Sequence, residues 1–298
     1  MNAIVSDPDT TDASRFWPVC STNIDTFAPG PGGNRPQAAC PSCGALERHR
    51  FLVMLLRQLK AWISGPGRVL EVAPTEPFRR FLLSIAGSRS TSIDIASMIS
   101  PDMLTDLTRL RFADEPFDLI VCYHVLEHSP QDYVAIGELA RTLTAKGLAV
   151  IQVPYSLTTA TEELLDGSSE ELEARFGRYD HVRLDGNDST RRLFDAGLIC
   201  SLIRPSDVFD EETTRRFGLI PYESSWICHS TDQAFDPSAS LVEGESIEGE
   251  LLRTQVMLAE AHQRGTASEA RYQALASHSV AAAGRVINRQ LKQLVPRE

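Results

Sequence analysis

Residues 117–128 read FDLIVCYHVLEH. Asp118 to Cys122 form a short apolar run behind an acid, the pattern of a strand inside a parallel sheet. The run ends on side chains that carry chemistry, His124, Glu127 and His128. Working outward, the pattern repeats on both sides. Strands are expected at RVLEV (68–72), TSIDI (91–95) and LAVIQVP (148–154), with helices between them at FRRFLLSIA and DYVAIGELARTL. Alternating strands and helices mean an α/β fold with a parallel sheet. Two later runs, LICSLIR and SSWICHS, add strands, and DSTRRLFDAG adds a helix.

The 298 residues carry a formal net charge of −11, and 42% of them are hydrophobic. That is enough apolar material for one sizeable domain with appendages. The acidic balance argues against a broad nucleic-acid surface, which needs clustered Lys and Arg. It favours a small-molecule, sugar or protein substrate. No apolar run is long enough to span a bilayer, and MNAIVSDPDTTDASR does not read as a signal peptide. Six scattered cysteines point to reduced thiols in a cytoplasm rather than a secreted disulfide framework. Cys122, Cys200 and Cys228 lie in apolar strand patterns and read as core residues. Three regions are expected: a cysteine-containing module with a first helix over 1–60, an α/β domain over 61–235 with an acidic insert at 156–190, and a helical extension over 236–298.

Ligands of an open parallel sheet sit beyond the carboxyl ends of its strands. Glu71 ends the first strand, and Asp94 ends the second 23 residues later, where an acid can accept both hydroxyls of a ribose. Asp106 and Leu107 follow. With these acids in this order, the run from Asp106 to Pro154, and above all FDLIVCYHVLEH followed by a helix and AKGLAVIQVP, resembles the class I S-adenosylmethionine-dependent methyltransferases. The resemblance covers residues 65–230 and implies a Rossmann-like sheet of seven strands. It implies S-adenosylmethionine as cofactor, held by Glu71, Ala73, Pro74, Thr75, Asp94, Ile95, Asp106, Leu107 and His124. Glu71 would meet the methionine amino group, Asp94 the ribose, and Asp106 with Leu107 the adenine. His124 and His128 would face the methyl-transfer site. For His128, capping of the helix that follows is an equal alternative.

The first turn departs from that family. Ala73, Thr75 and Pro77 stand where glycines are common, and a left-handed Ala or Thr costs roughly 1 kcal/mol or more. Ordinary negative φ is therefore expected throughout the turn, with Thr75 capping a helix that Glu76 and Pro77 open.

Upstream, Cys40-Pro41-Ser42-Cys43 is a C-x-x-C knuckle able to clamp one metal ion. CPSCGALERHR, and FGRYDHVRLDG downstream, resemble a bacterial subgroup of methyltransferases with an N-terminal, zinc-ribbon-like cysteine module. A second cysteine pair is expected near Cys20, but Trp17 stands in the partner's place. The implied Zn²⁺ ligands are Cys20, Cys40, Cys43 and His49; a metal-free remnant is the alternative. Arg48 is a candidate for an anionic substrate or a solvated helix start. On the substrate side, Asp180 would orient His181 as a base, with Tyr179 and Arg183 binding the acceptor. A structural His181 is the alternative.

The tail, 247–298, has a loose heptad and a basic amphipathic end. It reads as a surface for self-association or a partner, with membrane contact as the lesser alternative. The expected activity is O-methylation of a sugar, a surface-glycan precursor or another small metabolite. The rivals are an RNA-base methyltransferase and a non-catalytic scaffold working through its tail.

Overall fold

A computed structural model describes residues 15–31, 35–58, 67–86, 89–96 and 99–230. The helical extension and the basic tail end lie outside the described residues. None of the described helices is long and apolar enough to cross a membrane.

The chain begins with a small antiparallel pair, β1 (Arg15–Trp17) and β2 (Thr22–Ile24), and helix α1 (Glu47–Gln58). Then come β3 (Val69–Val72), α2 (Glu76–Ala86), β4 (Ser90–Asp94), β5 (Met103–Leu104) and β6 (Phe117–Tyr123). Helix α3 (Asp132–Thr142) runs directly into β7 (Leu143–Gln152). The insert holds β8 (Glu162–Glu163), α4 (Ser169–Phe176) and β9 (Arg183–Leu184). The chain continues through α5 (Ser189–Asp195), β10 (Leu198–Ile203), α6 (Pro205–Val208), α7 (Glu211–Arg216) and β11 (Ser225–Ser230).

Seven strands form one sheet in the order β10-β11-β7-β6-β3-β4-β5. From β7 to β5 every pair is parallel, while β11 runs antiparallel to both its neighbours. The order reverses between β3 and β6. There the crossovers leave toward opposite sides, and a crevice opens at the strands' carboxyl ends.

Side-chain alternation builds the layers. In β6, Leu119 and Val121 join one hydrophobic cluster and Ile120 and Cys122 the other. The first cluster packs α1 and α2 on the sheet; the second packs α3 and α5. Cys40, Ala45 and Phe51 share the first cluster with Val69, Leu119 and Phe209. The cysteine segment is thus built onto the sheet's own core.

The predicted strands and main helices are present. Strand β5 was missed, because two residues show no period. The short pair β8–β9 (antiparallel) was missed for the same reason. Cys200 and Cys228, read as separate core residues, face each other across β10 and β11 and are joined in a disulfide.

Candidate functional site

The crevice is a cleft of about 350 Å³. Its floor is the carboxyl ends of β3 and β4, through Val72, Ala73, Ile93, Asp94 and Ile95. One wall is Thr105–Thr108, and the other is Val125 with residues 128–131. Of the expected cofactor residues, Ala73, Asp94, Ile95, Asp106 and Leu107 line it together, and His128 joins from the catalytic set. Thr108 and Val125 were not anticipated; neither side chain has a chemical signature to find it by.

Glu71 lies just behind the cleft, on the α2 face of β3. Burial pushes its carboxyl up to about 8, partly opposed by the Arg79 guanidinium. Neither of its oxygens has a hydrogen-bond partner; the Thr75 amide lies near enough to ease the shift without closing a bond. An unpartnered buried carboxylate is costly unless something fills its place. A cationic ligand group suits it.

The turn after Glu71 corrects the expectation about backbone. Ala73 has φ +51, a left-handed conformation despite its Cβ. Its N–H donates to the Ile93 carbonyl at 2.8 Å, so cross-strand bonding holds it there. Pro74 is buried. Thr75 does precede α2, but its hydroxyl is buried without a partner and caps nothing. That leaves three orphaned oxygens, two from Glu71 and one from Thr75, on either side of Ala73, which does line the cleft.

At the other end Asp106 Oδ1 accepts from both Thr108 N–H and Thr108 Oγ1 at 2.8 Å, opening the 3₁₀ turn Leu107–Arg109. These bonds hold its carboxyl below the usual range. Asp94 Oδ1 accepts from Ala96 N–H at 3.1 Å.

Beyond β6 the backbone turns sharply. His124 also has positive φ, +56, with its N–H tied to the Gln152 carbonyl at 2.8 Å. Its Nδ1 lies 3.1 Å from Glu127 Oε1. Its Nε2 is buried without a partner, although the Gln152 side chain lies nearby. Burial first and Arg48 second push this imidazole down to about 3. Glu127 has no exposed surface, and burial raises its carboxyl against the pull of its histidine neighbours.

The segment after the insert meets this cluster. The rings of His128 and His181 pack edge to face, 4.7 Å apart. Burial lowers His181 below the usual imidazole range, partly opposed by the Glu127 carboxylate. Four of the predicted catalytic groups therefore come together from positions 124 to 181, and Glu127 stands in their midst.

Several roles differ from expectation. The Asp180 carbonyl accepts from His128 Nδ1 at 3.1 Å, and its carboxylate, Oδ2, lies 3.5 Å away, so Asp180 steadies His128 rather than His181. His128 ends its own 3₁₀ turn and does not cap α3, whose N-cap position is Gln131. Arg183 is not free for an anion. It is buried and donates to Glu163 Oε1 at 2.6 Å and to the carbonyls of Leu126 and Ser129; Asp132 Oδ1 lies 3.2 Å away. Tyr179 is exposed beside the Arg178 guanidinium.

The thiols of Cys20, Cys40 and Cys43 lie within 4.8 Å of one another. Cys20 and Cys40 are 3.9 Å apart. Burial above all, with smaller contributions from the Cys40 and Cys20 thiols, pushes the Cys43 thiol up to about 12. His49 is not a fourth ligand here. Its Nδ1 accepts from Leu46 N–H at 3.0 Å, and its ring stacks on Phe78. Arg48 reaches toward His124, Glu127 and Glu223 and makes no ion pair among the described residues; burial lowers it.

Residues 70–151 match the model of a family described as a methyltransferase domain. Similar solved structures include a S-adenosylmethionine-dependent methyltransferase from Mesorhizobium loti at 13% identity and TM-score 0.41, covering 59% of this chain and 96% of that one. Another, from Archaeoglobus fulgidus, has 15% identity and TM-score 0.41, covering 62% and 96%. No curated protein matches the chain. The matched segment, 70–151, is thus similar to a methyltransferase domain, and it lies within a Rossmann-like seven-stranded sheet.

Proposed function

We propose that the protein transfers a methyl group from S-adenosylmethionine to an oxygen of a sugar, a surface-glycan precursor or another small metabolite. The observation that carries the cofactor assignment is Glu71, buried just behind the cleft floor with both carboxylate oxygens unpartnered. Its negative form suits the ammonium of the methionine moiety. Asp94, at the end of β4, suits the ribose hydroxyls. Asp106 keeps Oδ2 for the adenine amino group, because Oδ1 takes both bonds from Thr108. When bound, the cofactor supplies a methyl group on an electron-poor sulfonium.

The chain's own part is to hold the acceptor in line, to exclude water and to manage a proton. The buried cluster beyond β6 supports oxygen as the acceptor atom. Burial pushes His124 down to about 3, too weak a base for that step, so His181, packed against His128, is the residue that would take the proton. Arg48 suits an anionic part of the acceptor. The thiols of Cys20, Cys40 and Cys43 would hold Zn²⁺ as three of its four ligands, which supports the cysteine-module subgroup. A scaffold role, with the tail as working part, is the outcome if no cofactor binds.

Titration calorimetry of S-adenosylmethionine and S-adenosylhomocysteine into the full-length protein tests the reading. Binding at micromolar concentration is expected, weakened about tenfold or more in Asp94→Ala, in line with losing a charged hydrogen-bond acceptor. A folded protein that binds neither compound ends the enzyme reading.

A further inference from the structure

The cluster beyond β6 holds more unsatisfied donor atoms than a proton acceptor requires. Glu127 has no exposed surface, yet its Oε2 lacks any hydrogen-bond partner. His181 is buried, its Nδ1 is likewise without a partner, and its Nε2 stands 4.0 Å from Glu127 Oε1. One donor atom from each of Glu127, His128 and His181 lies within 4.8 Å of the other two. Bare nitrogen and oxygen atoms converging in a dry site are costly unless an ion occupies the space between them.

We propose that Glu127, His128 and His181 form a divalent transition-metal site, whose remaining coordination positions open on the cleft beside His128. Two imidazoles and one carboxylate suit Mn²⁺, Fe²⁺, Co²⁺ or Zn²⁺ better than Mg²⁺ or Ca²⁺, which prefer all-oxygen shells. The surroundings are those of a positioned ligand set. His128 gives its Nδ1 to the Asp180 carbonyl, which leaves Nε2 for an ion. Val182 N–H donates to the Glu127 carbonyl at 2.9 Å. Arg183 donates to the carbonyls of Leu126 and Ser129 on either side of the ligand turn. The turn carrying Glu127 and His128 and the segment carrying His181 are therefore locked together.

His128 itself lines the cleft, so an acceptor hydroxyl bound at an open position would be both oriented and made more acidic. That use rests on the methyltransferase reading; the ion site does not. The three thiols near Cys40 are a separate and softer set, which Mn²⁺ avoids.

The test is titration of Mn²⁺, followed by electron paramagnetic resonance, and of Co²⁺, followed by its visible spectrum, into the full-length protein. One ion per chain is expected at this site, with Co²⁺ bands free of thiolate character. Affinity should fall about tenfold or more in Glu127→Gln and His128→Asn and stay unchanged in Cys43→Ser. Melting curves establish that each variant folds, and the partly exposed His128 keeps the test open should Glu127→Gln not fold. Folded wild type that binds neither ion, or equal affinity in His128→Asn, overturns the proposal. Titration of S-adenosylhomocysteine alongside separates the two readings. Cofactor binding without metal binding removes only the ion site, and metal binding without cofactor binding removes only the transferase reading.

Discussion

Glu71 shows what burial without a hydrogen-bond partner does to a carboxyl group. Its carboxyl is raised from 4.5 to about 8 in the folded chain, so between those values the folded state holds more protons than the unfolded one. Stability therefore falls as pH rises through that window. Glu71→Gln removes the charge that burial penalises. Its melting temperature should exceed wild type by about 2–4 °C at pH 8.5, roughly 1 kcal/mol for a chain of this size, and the two should converge near pH 5. Scanning calorimetry at both pH values reads this; an equal or lower Tm at pH 8.5 would show that Glu71 is already satisfied. Ala73 and His124 carry strain of another kind. Both sit in left-handed backbone where the chain leaves a strand at the cleft, the positions at which such conformations gather around functional sites.

The insert between β7 and α5 is joined to the sheet by charge rather than by a large apolar face. Its own apolar cluster has three buried residues, Leu172, Phe176 and Val182. Arg183 and Arg192 share Asp132 and Glu163 in a network linking β8, β9, α3 and α5. Removing Arg183 leaves Asp132 and Glu163 with Arg192 alone and takes the donor from the Leu126 and Ser129 carbonyls. Arg183→Met should cost about 3–5 kcal/mol, read as a shift of the urea midpoint. Because the cofactor end of the cleft is built elsewhere, variant protein that remains folded should still bind S-adenosylhomocysteine while its activity drops. A loss below 1 kcal/mol would mean that the network stabilises little and serves only orientation.

On the scale of the whole molecule, α1 and the cysteine segment share one apolar cluster with the sheet. They should unfold with it. Phe51, fully buried and packed edge-on against Phe209, links the two; Phe51→Ala should cost about 3–5 kcal/mol. Calorimetry should show one transition moving as a unit, and a separate N-terminal transition would refute the shared core. The sequence alone determined the sheet, because apolar runs such as DLIVC and LAVIQV have the period and length of buried strands. It also placed Asp94 at the carboxyl end of a parallel strand, where the crevice opens, and the family resemblance pointed to Asp106. FDLIVCYHVLEH carried the class. Only the tertiary structure decided what depends on distant partners. Ala73 takes positive φ because a carbonyl of β4 captures its N–H, which no local propensity foretells. Arg183 reads as an anion-binding residue until Glu163 and Asp132 close on it. His49 reads as a thiol's companion until the Leu46 amide claims its Nδ1. The meeting of Glu127 and His128 with His181, more than fifty positions along the chain, is decided by where the insert returns to the sheet, and short-range pattern carries no record of it.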